Sequence, residues 1–328
     1  MRQTPNCAFV LSVEQGKLES QAILLVESLR QFGGAYSRCP VYAVSPRPSR
    51  QMSQASRKAL AALGVDVIVE SLMPVDEPYG TVARLAACDW AEKNLACEIL
   101  VSLDDDLFFT GEPDFSLRES DVFARPPDLK GICTTGAGDP FDGYWQKIAQ
   151  IAGVDYDAIP QMETTVDRIS VKACYNGGMV AVRRRLGLFQ KANSIFHLMR
   201  AHDLSPRQAG EVEVFASTGF VGAEASRWWG SAQAVLSLAA TQLHARVTIA
   251  PAHYNVPAHL VKEAEMRGSP LNLKEAILVH YHWLLDKEYV GKDMLFYGSS
   301  ALPAHILKWL RRKIPLQETV KRRIWPFR

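Results

Sequence analysis

Three consecutive aspartates interrupt two apolar segments about a third of the way along the chain. Asp104, Asp105 and Asp106 follow the apolar residues 99–103 and precede Leu107. Adjacent carboxylates repel one another and are costly to desolvate, so a bound divalent cation would explain their clustering. Asp104 and Asp106 lie two residues apart and can both reach one hard cation, whereas Asp105 points away from it. An acidic turn with helix-capping aspartates is the alternative interpretation of this motif alone.

Two histidines occur late in the chain, in a second apolar segment. His280 and His282 lie within residues 276–283, which have the composition of a strand. Alternate residues of a strand share a face, so both imidazoles point the same way and Tyr281 opposes them. For either histidine alone, a hydrogen-bonded core residue is the favoured interpretation. A histidine placed beside two aspartates would instead complete a cation-binding set that favours manganese over magnesium.

A third motif combines an amide with two glycines. Asn176 precedes Gly177 and Gly178 and then an apolar strand that continues to residue 182. Glycine permits a close backbone approach to a ligand, although a tight turn would use the same residues. The Asn176 side chain can donate and accept hydrogen bonds. By itself this motif indicates no particular chemistry.

The segments that must position these motifs alternate between strand and helix patterns. Short strands are predicted at 7–13, 41–46, 65–70 and 98–106, and helices at 18–33, 51–63 and 80–96. Such alternation predicts parallel strand pairing with helices on the faces of the sheet. Ligands of open α/β sheets bind beyond the carboxyl ends of the strands, which is where the aspartates fall.

The second half of the chain begins with a segment that is rich in Pro, Gly and Asp. Residues 125–170 predict a long connection with one short helix, and long connections often carry function. Further strands are predicted at 175–185, from 246 and at 276–283, with helices at 185–202 and 228–243. The pattern as a whole predicts a mixed α/β fold, with a mostly parallel sheet flanked by helices and a C-terminal helical extension.

Several classes of function lose their support. No G-x-G-x-x-G segment follows the first strand and no G-x-x-x-x-G-K-[S/T] segment occurs, which argues against dinucleotide binding and P-loop chemistry. The chain has 328 residues and a formal net charge of +2, so no global field marks it as a nucleic-acid binder.

The cysteines and the hydropathy indicate the compartment. The six cysteines form no C-x-x-C pair and most lie in apolar segments, which favours buried free thiols in a reducing compartment. The N-terminus has too short an apolar stretch for a signal peptide, and no segment approaches the roughly 18 apolar residues of a membrane span. We therefore expect a cytoplasmic protein whose only membrane contact would be peripheral, on the inner face.

Residues 301–328 are predicted to form a basic amphipathic tail. Eight Lys and Arg residues lie between 305 and 328 against one acid, Glu318, and Trp309 and Trp325 lie among them. A helix of this composition can lie on an anionic membrane surface. The alternative is a solvated terminal helix that is docked through its tryptophans.

The order of these motifs resembles that of a GT-A-fold glycosyltransferase, and most of all the group that contains glycogenin and the lipopolysaccharide galactosyltransferases. The resemblance covers roughly residues 6–285 and rests on the order and spacing of weak motifs, of which only the aspartate strand end and the late histidine are chemically specific. The other matching features are the Asn-Gly-Gly segment, a helix that opens near Gln233 and the turn at 250–257.

This resemblance implies a Rossmann-like GT-A domain at 1–300 and the basic tail at 301–328. The nucleotide-binding half would span 1–110, and an acceptor-binding and metal-completing half would span 111–300. The implied activity is that of a metal-dependent glycosyltransferase that retains the anomeric configuration, with a hexosyltransferase as the first expectation. It would move a sugar from a nucleotide diphosphate-sugar to a hydroxyl of a glycan or a lipid-linked cell-envelope acceptor. The first expectation for the donor is a UDP-sugar. Mn²⁺ or Mg²⁺ would be the cofactor.

The resemblance also implies which residues hold the metal and act in catalysis. Asp104, Asp106 and His280 would be the protein ligands of the cation. Gln233 matches the family's glutamine near the reacting carbon. Asn176 would line the acceptor or sugar side.

The same resemblance implies a group of residues that bind the donor. Arg84, on the helix before the aspartate strand, would meet a phosphate or the sugar, and an exposed helix charge is its alternative role. Asp105 would approach a sugar hydroxyl. Gly177 and Gly178 would line the cleft beside the sugar.

The chain departs from the pattern of that family at two places. Ala232 stands where an acidic residue normally precedes the glutamine, and the glycine and Lys-Pro-Trp that usually follow the late histidine are missing. Lys287 or Lys292 could take over the lost phosphate contact.

Two other classes of protein stay open at this point. A non-catalytic nucleotide-sugar-binding protein on the same fold is the first, and Ala232 is its best support. A phosphatase of the haloacid-dehalogenase type is the second, because it also places two aspartates at a strand end. In such phosphatases the motif lies near the start of the chain and has Thr or Val where this chain has Phe108.

Overall fold

The protein is described here by a computed structural model that covers residues 4–285 and 302–313. The strands, numbered along the chain, are β1 (Cys7–Ser12), β2 (Val41–Ser45), β3 (Val65–Val69), β4 (Ile99–Leu103), β5 (Leu107–Phe109), β6 (Val122–Arg125), β7 (Gln161–Glu163), β8 (Ser170–Lys172), β9 (Asn176–Arg183), β10 (Val214–Ala216), β11 (Gly219–Val221), β12 (Val247–Ile249), β13 (Val256–Pro257) and β14 (Leu278–His280).

The α-helices lie between these strands and after them. They are α1 (Lys17–Phe32), α2 (Gln54–Ala62), α3 (Val82–Asn94), α4 (Asp142–Ala152), α5 (Leu188–Ala201), α6 (Ala223–Ser226), α7 (Ser231–Gln242), α8 (Val261–Met266) and α9 (Ala304–Lys313). The predicted helices at 18–33, 51–63, 80–96, 185–202 and 228–243 correspond to α1, α2, α3, α5 and α7.

Seven strands form the central sheet, in the order β12-β6-β9-β4-β1-β2-β3. Strand β9 is antiparallel to both of its neighbours, and the other four pairs are parallel. Six strands therefore run in one direction, which confirms the predicted mostly parallel, Rossmann-like α/β sheet. The sheet also crosses the predicted boundary at residue 110, because β6, β9 and β12 come from the second half of the chain.

Helices cover both faces of this sheet because alternate strand residues point to opposite sides. In β1, Ala8 and Val10 pack in a cluster with side chains of α3, α4, α5 and α7. Phe9 and Leu11 pack on the other side with α1 and α2. The strands are buried on both faces, which explains why their sequences are nearly continuous apolar runs.

A small second sheet joins the two motifs that carry chemistry. It has the order β13-β14-β5, with β14 antiparallel to β5 and His280 paired with Leu107. The backbone N–H of Tyr281 extends this pairing by donating to the Asp106 carbonyl over 3.0 Å. The chain passes from the central sheet into the small sheet through the aspartate triplet, so β14 lies directly beside the aspartates.

Several elements were not anticipated by the sequence patterns. Strand β6 is a central strand although only four residues long, and it ends at Arg125, where the long connection was expected to begin. The Arg125 side chain is buried and donates to the carbonyls of Tyr254 and Asn255. The short ladder of β7 and β8 and the hairpin of β10 and β11 were also unassigned, since segments of three residues are too short to show a period.

The described part of the basic tail is a docked helix. Ile306 and Leu310 of α9 are buried in a cluster with α1, β5 and β14, and Trp309 lies edge-on to Phe32 at 5.3 Å between ring centroids. Its lysines and arginines line the outer side. This matches the docked-helix alternative for residues 304–313, while residue 301 and residues 314–328 of the predicted tail lie outside the described residues.

All six cysteines are free, and five of them are buried. This agrees with the predicted free thiols. Among the helices in the described ranges, none combines the length and the apolar character that a bilayer crossing requires.

Candidate functional site

A cleft of about 670 Å³ opens beyond the carboxyl end of β4. Its position agrees with the general rule for ligand sites in open α/β sheets. All nine residues that the sequence analysis assigned to metal, donor or catalysis line it, namely Arg84, Asp104, Asp105, Asp106, Asn176, Gly177, Gly178, Gln233 and His280. The sheet topology thus brings together residues that are spread over almost two hundred positions of the chain.

One end of the aspartate triplet contacts two imidazoles. The His280 Nε2 atom lies 3.0 Å from Asp106 Oδ1, and His282 Nδ1 lies 3.4 Å from Asp106 Oδ2. The two imidazole rings stack with their centroids 3.8 Å apart. Strand β14 ends at His280, yet the rings share one side, as predicted, and Tyr281 is buried on the other side against Phe108.

The electrostatics of this cluster follow from burial and from the short contacts. Burial by itself raises the pKa of the Asp106 carboxyl, but His280 and His282 beside it bring that pKa well below its usual range. Burial lowers the pKa of His280, and Asp106 more than reverses the effect. Burial and the neighbouring His280 lower the pKa of His282. These shifts favour an ion pair between an ionised Asp106 and a protonated His280, and they favour the neutral form of His282.

This cluster fits a divalent transition-metal ion. One donor atom each from Asp106, His280 and His282 can be chosen so that all three lie within 4.8 Å of one another. Two imidazoles and one carboxylate suit manganese, iron or zinc better than magnesium, which prefers oxygen ligands. The buried Nδ1 atom of His280 has no hydrogen-bond partner among the described residues. This ring nitrogen can therefore bind a group that is not part of the described chain.

The other end of the triplet contacts a guanidinium group. Asp104 accepts a hydrogen bond from Arg84 in a close ion pair, and its backbone N–H donates to the Gly178 carbonyl over 2.8 Å. Arg84 is only 6% exposed, so its alternative role as an exposed helix charge is wrong. Burial lowers the pKa of Arg84, but Asp104 raises it by more, so the guanidinium stays charged.

The two glycines make room for these two groups separately. A Cβ on Gly177 would collide with the Arg84 guanidinium. A Cβ on Gly178 would lie 3.0 Å from the Asn255 amide and 3.1 Å from a ring carbon of His280. A side chain at position 177 would displace the Arg84 guanidinium, and one at position 178 would press on Asn255 and His280, because side chains of the site pack against the backbone there.

In the part of the chain that the structure describes, the middle aspartate, Asp105, forms no ion pair with Arg84 or with the two imidazoles that contact Asp106. Asp105 is buried, and its Oδ1 atom has no hydrogen-bond partner among the described residues. Burial and the flanking charges of Asp104 and Asp106 raise its pKa well above the usual range. A neutral carboxyl group at this position can donate a hydrogen bond into the cleft, which an ionised one cannot.

The comparison with protein families covers the first part of this cleft. Residues 9–207 match the model of a family described as the Rhodobacterales glycosyltransferase domain, which is more than half of the chain. The chain belongs to this glycosyltransferase family. A search of the curated proteins finds no match.

Family membership agrees with the predicted glycosyltransferase and favours it over both the phosphatase and the non-catalytic alternative. A glycosyltransferase binds a nucleotide-sugar donor and an acceptor. The matched segment contains Arg84, the three aspartates and Asn176, whereas Gln233 and both cluster histidines lie beyond it.

In this glycosyltransferase the Asn176 side chain serves the protein itself. It donates to Asp128 Oδ2 over 3.0 Å, and its oxygen accepts from the Gly178 N–H at 2.9 Å and from the Asn255 amide at 3.1 Å. These bonds tie β9 to the segments that flank it. Asn176 lines the cleft and organises its wall, and its role in catalysis stays a prediction.

Gln233 lies at the opening of a helix that faces the cleft. It is half-buried in the first turn of α7, and Gly230, in a left-handed conformation with φ 94°, precedes that turn. A helix N-terminus presents unpaired backbone N–H groups and favours negative charge. Ala232, which replaces the acid of the resembled group, is completely buried.

Three side chains of the glycosyltransferase cleft escaped the assignments made from sequence. His282 was recognised as a neighbour of His280 but was not counted as a ligand. His259 lies against it with ring centroids 4.1 Å apart, and burial and the two nearby imidazoles lower its pKa to about 2. Asp128 comes from the segment interpreted as a connection. The spacing of His280 and His282 was the only available signal, whereas nothing local distinguishes His259 or Asp128.

Proposed function

We propose that this chain is a metal-dependent glycosyltransferase that moves a sugar from a nucleotide diphosphate-sugar, foremost a UDP-sugar, to an acceptor hydroxyl. The observation that carries the proposal is the cluster of Asp106, His280 and His282 in the cleft of a chain that belongs to a glycosyltransferase family. The acceptor is proposed to be a glycan or a lipid-linked molecule of the cell envelope.

The cation would be held by Asp106, His280 and His282, and Mn²⁺ fits this donor set better than Mg²⁺. When bound, a divalent cation neutralises the charge that develops on a diphosphate leaving group. The sequence analysis also assigned Asp104 to the cation, but Asp104 is paired with Arg84 in the structure, and we propose that it lies outside the ligand set.

The protein's own groups would orient the donor around that cation. Arg84 keeps its charge in the buried pair with Asp104 and adds positive potential to the floor of the cleft. Because burial raises the pKa of the Asp105 carboxyl well above its usual range, its protonated form would donate a hydrogen bond to a hydroxyl of the sugar donor. Gly177 and Gly178 let these groups approach the backbone of β9.

On the sugar side, the first turn of α7 would lie near the reacting carbon. Gln233 is the polar side chain of that turn that lines the cleft, and its amide oxygen can stabilise positive charge on the sugar. Ala232 occupies the preceding position and offers no carboxylate nucleophile. Transfer with retention, which the resemblance implies, would therefore proceed without a covalent intermediate at this position.

The proposal extends to the fold and to the location of the protein. Six co-directional strands with one reversed strand, β9, beside the aspartate-bearing β4 support the GT-A fold. The basic outer side of α9, with Lys308 and Arg312 exposed, supports a cytoplasmic enzyme that associates with an anionic membrane surface. Lys287 and Lys292, considered for a phosphate contact, lie outside the described residues.

A thermal-shift screen of nucleotide-sugars with and without Mn²⁺ tests the proposal. We expect at least one uridine or guanosine diphosphate-sugar to raise the melting temperature by a few degrees, and only when the metal is present. His282→Ala should remove this stabilisation because it removes a ligand. His197→Ala, a change of an exposed histidine on α5, is the matched control and should preserve it.

Turnover is then measured as nucleotide release with the stabilising donor. Equal stabilisation by the donor in a chelator, or an unchanged metal response in His282→Ala, would contradict the metal assignment. Stabilisation by none of the nucleotide-sugars would contradict the proposed donor class.

A further inference from the structure

A hairpin of two aromatic strands lies at the mouth of the cleft. Strands β10 and β11 are joined by the turn Ser217–Thr218, and every residue from Val214 to Val221 except Gly219 lines the cleft. The Phe220 side chain is 79% exposed and Phe215 is 43% exposed. Adjacent aromatic rings that stay in water at the edge of a ligand cleft are typical of a binding surface.

These rings continue as a row into the catalytic end of the cleft. The ring centroids of Phe220 and Phe215 are 5.0 Å apart, those of Phe215 and Trp283 are 5.3 Å apart, and those of Trp283 and His282 are 5.5 Å apart. The first two pairs are edge-on, with interplanar angles of 76° and 75°. The row therefore leads from the exposed Phe220 to the histidines of the Asp106 cluster.

The chemistry of this row is mixed rather than purely apolar. The hydroxyl groups of Ser217 and Thr218 stand in the turn between the two phenylalanines and also line the cleft. An acyl chain would be bound by a continuous aliphatic surface that is shielded from water. Separate exposed rings beside hydroxyl groups suit a ligand that has an apolar C–H face and a rim of hydroxyls, which describes a pyranose ring.

We propose that the hairpin from Val214 to Val221, with Trp283, is a binding subsite for a pyranose ring of the acceptor, so that the acceptor is a carbohydrate at its binding end. The subsite rests on the proposed function for its catalytic meaning, because only a glycosyltransferase cleft needs an acceptor there. It deepens that function by naming the acceptor class. Binding of the sugar itself needs neither the donor nor the metal.

The test measures binding of a panel of pyranose disaccharides and p-nitrophenyl pyranosides to the full chain by saturation-transfer NMR, without donor and with a chelator. We expect at least one panel member to bind to the unaltered protein. Phe220→Leu should weaken that binding about three- to tenfold, because it keeps apolar bulk but removes the ring face. Phe220→Tyr keeps the ring and should bind as the unaltered protein does.

Two controls show that any loss belongs to the hairpin. Met266→Ala changes a side chain that is 81% exposed on α8 and does not line the cleft, and it should leave binding unchanged. Melting temperatures of all variants show that they fold, which is expected at Phe220 because its side chain makes few buried contacts. Phe215→Leu repeats the test one ring further into the cleft.

The outcomes separate this proposal from the function on which it rests. The subsite is overturned if no member of the panel binds. It is also overturned if Phe220→Leu binds the panel as tightly as the unaltered protein does. A Phe220→Leu variant that binds sugars normally but loses binding to anionic phospholipid vesicles also overturns the subsite, and it would identify a lipid surface. Metal-dependent stabilisation by a nucleotide-sugar can persist in each of these cases, so failure of the subsite leaves the donor site standing.

Discussion

Asp104 and Asp106 are identical in type and two residues apart, but the fold gives them partners of different chemistry. Asp104 lies against the guanidinium of Arg84, which comes from α3 on one face of the central sheet. Asp106 lies against the imidazoles of His280 and His282, which come from the small second sheet and the residues after it.

The difference separates a permanent charge pair from a set of potential metal ligands. Arginine keeps its proton and has no lone pair to offer a cation, so the pair with Asp104 is structural and electrostatic. Imidazole loses its proton near neutral pH and then coordinates metals. Only the Asp106 end can therefore take up a divalent cation together with its partners, because the imidazoles can lose their protons and bind the metal, whereas a cation at Asp104 would leave the Arg84 charge unpaired.

Adjacent glycines of β9 serve the two ends separately. Gly177 makes room for the Arg84 guanidinium, and Gly178 makes room for His280 and Asn255. The same strand thus shapes both ends of the triplet, and each end can be altered without the other.

The largest expected effect comes from substitution of the two aspartates. Asp106→Asn should weaken Mn²⁺ binding, measured by isothermal titration calorimetry, by more than about 100-fold, since even the loss of a group that only orients a ligand costs 10- to 100-fold. Asp104→Asn should leave Mn²⁺ binding within a few-fold but destabilise the fold by about 3–5 kcal/mol, because it leaves Arg84 buried without a counter-charge.

Chemical denaturation measures the second effect, and the unaltered protein is the reference for both. Equal loss of Mn²⁺ binding in the two variants would mean that Asp104 is a metal ligand, as the sequence analysis expected.

An intermediate effect is expected from the glycines. Gly177→Ala should push Arg84 away from Asp104 and cost about 1–3 kcal/mol of stability, with Mn²⁺ affinity retained. Gly178→Ala should cost less stability, because Asn255 and His280 need to move only a few tenths of an ångström, but it should lower Mn²⁺ affinity through His280. Denaturation and calorimetry on the two variants test this; the reverse assignment of the two losses would refute it.

The smallest expected effect is a pH dependence confined to the histidine end. The pKa of His280 in the fold is raised above its ordinary value of 6.5, so the stability from its pair with Asp106 is fully present below pH 6.5 and is lost as the pH rises through the raised pKa. Arg84 keeps its proton throughout this range, because the neighbouring Asp104 raises its pKa.

Melting curves of metal-free protein between about pH 6 and pH 9 measure this effect. The difference in melting temperature between the unaltered protein and His280→Gln should shrink as the pH rises. If that difference in melting temperature stayed constant with pH, His280 would be uncharged throughout the range, and the histidine end would not differ from the arginine end in its response to pH.

Local sequence was sufficient to predict the alternating strands and helices of the first 110 residues and the place of the aspartates at the end of β4. Apolar runs and their periods report how a segment is buried, and the helices and strands of that region are long enough to show it. The same reasoning missed β6, which has only four residues and ends in the completely buried Arg125. An arginine is not expected in a buried strand, and this one is buried because it donates to carbonyl groups more than a hundred residues away.

The residues with the chemistry for a metal site could be found in the amino-acid sequence, because carboxylates and imidazoles carry metal-binding atoms in any fold. How these residues are divided between the two ends of the aspartate triplet depends on the folded chain. His280 reaches Asp106 across 174 positions through the register of β14 on β5, and Arg84 reaches Asp104 through the packing of α3 on β1 and β4. Such contacts depend on how strands pair and helices pack over long distances in the chain, and no local period encodes them.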